Sequence, residues 1–116
     1  TLAAGVTITV HNTAWTLGNA AEVVPANAIA AIFDIHFIKI EAISATNIYE
    51  VALFSGASAN VEIGRFRTSK DAANTNFSPI SFCCPLQPAN TKISAKCASS
   101  SGGGDTVTIS IGYHTY

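Results

Sequence analysis

Thr91-Lys92-Ile93-Ser94-Ala95-Lys96-Cys97-Ala98, then Ser99-Ser100-Ser101-Gly102-Gly103-Gly104, then Asp105-Thr106-Val107-Thr108-Ile109-Ser110-Ile111-Gly112-Tyr113-His114: this run decides the fold class. In the first part Ile93, Ala95 and Cys97 alternate with Lys92, Ser94 and Lys96. In the last part Val107, Ile109, Ile111 and Tyr113 alternate with Thr106, Thr108, Ser110 and His114. A period of two with β-branched residues is the pattern of a half-buried strand. Three successive glycines permit positive φ without a steric penalty, so the chain can reverse between the two strands. The run therefore predicts a hairpin that closes a β-sandwich.

Working outward towards the N-terminus, the same reading finds about eight short strands. Val6 to Val10 alternates with Thr7 and Thr9 and predicts a first strand, and Ala14 to Leu17 a short second one carrying Trp15. Glu22-Val23-Val24 leads into a loop at Pro25-Ala26-Asn27. In the apolar run from Ile29 to Ser44, Phe33, Ile35 and Phe37 keep one phase, and Ile38, Ile40 and Ala42 keep the other. A phase switch within one strand points to a bulge or to a strand covered on both faces.

Ile48 to Phe54 is apolar on both faces, as a central strand or one at a subunit contact would be. Val61 to Arg67 places Val61, Ile63, Arg65 and Arg67 on one side and Glu62, Gly64 and Phe66 on the other. Thr68 to Asn76 is polar and predicts a surface loop, and Phe77 to Cys84 predicts a strand entered across Pro79. Pro-Ala-Asn occurs twice, at 25–27 and 88–90, each time ahead of an apolar strand. Coincidence explains so short an echo; matching corners of two sheets would explain it too. The expectation is an all-β, antiparallel β-sandwich forming a single domain over residues 1–116.

Composition narrows the function classes. Of 116 residues, only 11% are charged, less than half the ordinary share of about 25%. The outside must therefore be built from Ser, Thr, Asn and Ala, or be buried against other copies. The net charge is −1, so no basic field exists to hold phosphates, and nucleic-acid binding is not expected. The apolar run 28–43 is too short and too charged to span a bilayer, carrying Asp34, His36, Lys39 and Glu41. The chain contains no Met and opens with no signal-peptide pattern, as a processed product or a fragment of a longer protein would.

The cysteines, Cys83, Cys84 and Cys97, are odd in number. Buried reduced thiols are the simplest reading, and one bridge from Cys97 to either neighbour stays open. Cys83 and Cys84 should point to opposite faces. A metal site has least support, because no CxxC spacing occurs and His11, His36 and His114 are scattered along the chain. No cofactor is expected. No catalytic residue stands out either: no glycine pattern surrounds a serine nucleophile, and the carboxylates cannot be paired by sequence alone. Asn76-Phe77-Ser78 matches a glycosylation acceptor and is read as chance.

Six residues are candidates for interface or ligand contact. Arg65 and Arg67, with Glu62 nearby, suit an intersubunit salt bridge or a carboxylate or glycan contact, or else a solvated strand face. Trp15 suits a sugar platform or an interface anchor, or else a rim aromatic. Tyr113, His114 and Tyr116 suit a recognition surface, or else a last strand with Tyr113 packed inward and His114 in solvent.

The segments Ile48-Tyr49-Glu50-Val51, Ile63-Gly64-Arg65, Pro88 through Lys96, Ala98 through Val107 and Gly112 through Tyr116 resemble a small β-sandwich module of tailed-bacteriophage virion surface proteins. The resemblance covers about residues 45–116. It implies a jelly-roll-like module of the head-decoration or fibre type, assembled as a homotrimer. Its partners would be other copies and virion proteins such as the major capsid protein. The alternative is a carbohydrate- or receptor-binding module of a fibre tip that meets a host surface glycan. The implied location is the virion, and the implied role is structural, not enzymatic.

Overall fold

A computed structural model describes residues 5–71 and 79–116. Its strands are β1 (Val6–Thr9), β2 (Ala21–Val24), β3 (Phe33–Ile43), β4 (Asn47–Ser55), β5 (Val61–Lys70), β6 (Ile80–Ser81), β7 (Ile93–Ser99) and β8 (Thr106–Thr115). All pairings are antiparallel, and they form two four-stranded sheets ordered β1-β8-β3-β6 and β2-β7-β4-β5. Consecutive strands alternate between sheets except at β4–β5, so the chain wraps around one core. Two sheets in this order make a jelly roll.

The predicted hairpin is therefore corrected. β7 pairs with β2 and β4, and β8 pairs with β1 and β3, so both edges of each strand are already taken. The Ser-Gly run is an arch from one sheet to the other. Gly102 sits at φ 73, and a Cβ there would lie 2.2 Å from the Asn12 carbonyl oxygen. The arch is tied down by hydrogen bonds from Ser100 N to Ile48 O and from Val10 N to Asp105 O.

The core lies between the sheets. Phe33, Ile35, Ile38 and Ile40 of β3 face Tyr49, Val51 and Leu53 of β4, with Ile93, Ala95 and Cys97 of β7 and Val107 and Ile109 of β8. The phase switch in β3 is a bulge: the register with β8 shifts between Ile35 and Phe37, which leaves His36 over and turns Phe37 outward. A second shift, between Ile40 and Ala42, puts Ile43 in the core and leaves Ala42 exposed. In β5 a shift opposite Leu53 and Phe54 lets both Ile63 and Phe66 lean on the core while Arg65 and Arg67 face out.

Other boundaries moved. Trp15 has φ 57, which no strand residue adopts, so Ala14 to Leu17 is not a strand. The second strand is Ala21–Val24 instead. β5 continues to Lys70, where a loop was expected, because Thr68, Ser69 and Lys70 find partners in Tyr49, Ile48 and Asn47. Residues 72–76 of that expected loop, the start of the Phe77–Cys84 strand and the glycosylation acceptor lie outside the described residues. Past Ser81 the chain follows the edge of β3 irregularly, with Phe82 N donating to His36 O and Cys84 N to Ile35 O.

The Pro-Ala-Asn echo is structural. Asn27 (φ 66) and Asn90 (φ 68) occupy the left-handed region in two equivalent turns. Each turn closes on its proline carbonyl, through Ala28 N to Pro25 O and Thr91 N to Pro88 O. Positive φ at the third turn residue is the type II requirement that Asn meets nearly as well as Gly. The two turns bond each other, through Asn27 N to Asn90 O.

Candidate functional site

The six candidate residues separate into two groups on opposite sheets. On the outer face of the β2-β7-β4-β5 sheet, register places Ala98, Glu50 and Arg67 in one row and Lys96, Ala52 and Arg65 in the next. Glu50 accepts from Arg65 Nη1 at 2.7 Å and from Arg67 Nε at 3.1 Å, and Arg65 Nε reaches Glu62 at 2.9 Å. The hydrogen bond from Arg65, with the charge of both guanidiniums, holds the Glu50 carboxyl below the usual carboxylate range, and the carboxylates hold Arg65 above its own. The Arg67 guanidinium lies 4.7 Å from the Trp15 ring centre. Lys96 covers Phe54 in the same way at 4.5 Å. Long charged side chains thus roof the apolar outer residues Ala52 and Phe54, an amphipathic use of their stems and heads. Trp15, Arg65 and Arg67 form one connected surface, and it is already satisfied internally.

The second group is on the other sheet, where β3 begins and β8 ends. Asp34 and His114 are direct cross-strand partners. His36 follows Asp34 by two residues, and as the bulged residue it is aimed beside that pair. The imidazoles of His36 and His114 are 5.5 Å apart between ring centres, and His114 meets Tyr116 edge-on at 4.6 Å. Tyr116 donates its hydroxyl to Asp34 Oδ2 at 2.8 Å, and that bond raises the phenol's pKa. Asp34 Oδ1 lies 2.7 Å from His36 Nε2 yet is enclosed and has no hydrogen bond of proper geometry. The donor atoms of Asp34, His36 and His114 all fall within 4.8 Å of one another.

The reading of the histidines as scattered is corrected for two of the three. Sequence distance hid them, because 78 positions separate His36 and His114 while strand register joins them. Only the Asp-Ile-His alternation in β3 signalled a pair of donors on one face. His11 stays apart: its Nδ1 accepts from Thr13 N at 2.9 Å, and it lines a groove of about 350 Å³ with Asn12, Gly18 and Gly104.

Tyr113 packs edge-on against Phe33 but remains 42% exposed, so it is only partly the inward residue expected. Around it Ile32, Leu86 and Tyr116 are also exposed. Tyr116 N bonds Ile32 O, and Gln87 exchanges both backbone bonds with Phe33, so all four lie at one end of the sandwich, with Tyr113 on the core side of β8 and Tyr116 on the other face beside His114.

The thiols divide as the alternation required: Cys83 is exposed and Cys84 buried. All three are free, so the reading of uniformly buried thiols fails at Cys83, which the irregular edge turns to solvent. Burial pushes Cys84 and Cys97 up to about 12, which keeps them protonated and inert. Comparison with protein-family models, curated proteins and solved structures finds no match to this chain.

Proposed function

We propose that the chain is a structural jelly-roll subunit of a virion surface, as capsid decoration or as part of a head or tail fibre, and that it assembles with its own copies as a homotrimer. The observation that carries this reading is the apolar end formed by Ile32, Leu86, Tyr113 and Tyr116. Four large apolar side chains are exposed near that end, Tyr113 on the core side of β8 and Tyr116 on its other face, on a chain with few charges to solvate them. Exposed apolar side chains concentrated at one end suit association, and aromatics are enriched in interfaces. Sandwich topology supports the same reading, since jelly rolls recur in capsid proteins.

The alternative, a glycan- or receptor-binding module, rests on Trp15, and there Arg67 already takes an indole face that a sugar would need. Light scattering on the full chain at micromolar concentration tests the first reading. The expected mass is three times the 12.0 kDa chain, falling to one when Leu86→Glu and Tyr113→Glu are combined. A monomeric wild type overturns self-assembly, and absence of the chain from purified particles overturns the virion assignment.

A further inference from the structure

We propose that Asp34, His36 and His114 form a binding site for a borderline divalent cation of the Zn²⁺ class. Two imidazole nitrogens and one carboxylate oxygen are the donors such ions prefer, whereas Ca²⁺ and Mg²⁺ take all-oxygen sets. Three protein ligands with a remaining position for water are a familiar zinc arrangement.

Three independent features converge on the site. The donor atoms already lie within 4.8 Å of one another, and both rings are exposed, so small rotations would bring them to a common centre. Asp34 Oδ1 is an enclosed acceptor without a hydrogen bond, although a ring nitrogen stands 2.7 Å away. Once the exposed His36 ring swings outward to the roughly 3.3 Å that tetrahedral ligand atoms keep, one cation would satisfy both atoms. Finally, Tyr116 holds the other carboxylate oxygen at 2.8 Å, which is the outer-shell bond that orients a ligating carboxylate. The β3 bulge gives the site its geometry, because His36 is the residue that the β3–β8 ladder leaves without a partner.

Cys83 sits on the neighbouring edge, between the backbone bonds of Phe82 to His36 and of Cys84 to Ile35. It is not one of the three clustered donors. The site is thus assigned an N₂O ligand set that does not require the thiol.

The test uses the full chain, freed of metal by chelation and titrated with Co²⁺, followed by displacement with Zn²⁺. Saturable visible absorption at one Co²⁺ per chain, abolished by Zn²⁺, is expected. His36→Ala and His114→Ala should each weaken binding at least tenfold, and Tyr116→Phe about tenfold. His11→Ala and Cys83→Ser should bind as wild type does. The substituted side chains are at the surface, so the strand circular dichroism of every variant should match wild type. No saturable signal, as a simple His36–Asp34 ion pair would give, overturns the proposal. So does binding that survives His114→Ala or disappears with Cys83→Ser.

Discussion

Tyr49 joins three parts of the jelly roll, and removing its hydroxyl should be readable in two ways. The ring is wholly buried in the core, while the hydroxyl donates to Ala45 O at 2.7 Å and lies 3.2 Å from Asp105 Oδ2. It thereby links the β3–β4 turn to the foot of the arch that carries the chain between sheets. Tyr49→Phe keeps the ring and removes the hydrogen bond, so the cost at neutral pH should be about 1–2 kcal/mol. Burial and the neighbouring Asp105 carboxylate push the phenol from 10.0 up to about 12. A raised folded pKa contributes stability that is complete below the unfolded value and is lost as pH rises through the folded one. At about pH 11 the unfolded phenol is mostly ionised and the folded one is not, so wild type loses about 1.4 kcal/mol through this residue alone. Cys84 and Cys97 also weaken the fold over the alkaline range, from 9.0 to about 12, but they do so equally in both proteins and cancel. Urea unfolding of wild type and Tyr49→Phe at neutral pH and near pH 11 should therefore show the gap between them shrinking by about 1.4 kcal/mol. A gap of unchanged size would refute the placement of the phenol beside Asp105 in a dry site.

The arch glycines differ in kind. Gly102→Ala meets the Asn12 carbonyl and carries a side chain at φ 73, so it should cost about 3 kcal/mol or more, whereas Gly103→Ala at φ 91 meets nothing within 4 Å and should cost about 1 kcal/mol. Denaturant midpoints of the two variants measure this, and equal losses would contradict the close approach at Asn12. Glu50→Gln removes the shared partner of Arg65 and Arg67, which are themselves largely exposed, and should cost about 1 kcal/mol at neutral pH. Because the Glu50 carboxyl is held below 4.5, its contribution is present above that value and is lost as pH falls through the lower folded one. The two proteins should thus converge in stability in strong acid, and a difference that persists there would remove the ion network from the account.

How much of this was legible beforehand depends on whether a feature is local. Alternation in Ile93 to Cys97 and in Val107 to Ile111 reported correctly which side chains face the core, because pleating is a property of each strand by itself. The phase switch in β3 was legible for the same reason: an extra residue, His36, reverses the faces of everything after it. Alternation is silent about which strand lies alongside. A hairpin and an arch present the same pattern on either side of Gly102 to Gly104, and only the occupied edges of β7 and β8 separate them. The Asp34, His36 and His114 cluster belongs to the same silent class, since it exists through register alone.

Trp15 shows a second limit. A bulky residue in a short segment between two turns reads as strand, yet at φ 57 its backbone leaves the extended region and swings the indole beneath Arg67. The paired Asn27 and Asn90 turns show the reverse case. There a three-residue repeat too short to trust in sequence acquires meaning because the two copies bond each other, through Asn27 N to Asn90 O, with Asn90 N reaching on to Ile29 O. In a jelly roll both ends of the sandwich are built from such non-local meetings. The apolar end around Tyr113 and the donor cluster beside it both lie where β3 begins and β8 ends, two strands that the chain makes far apart and the sheet makes neighbours.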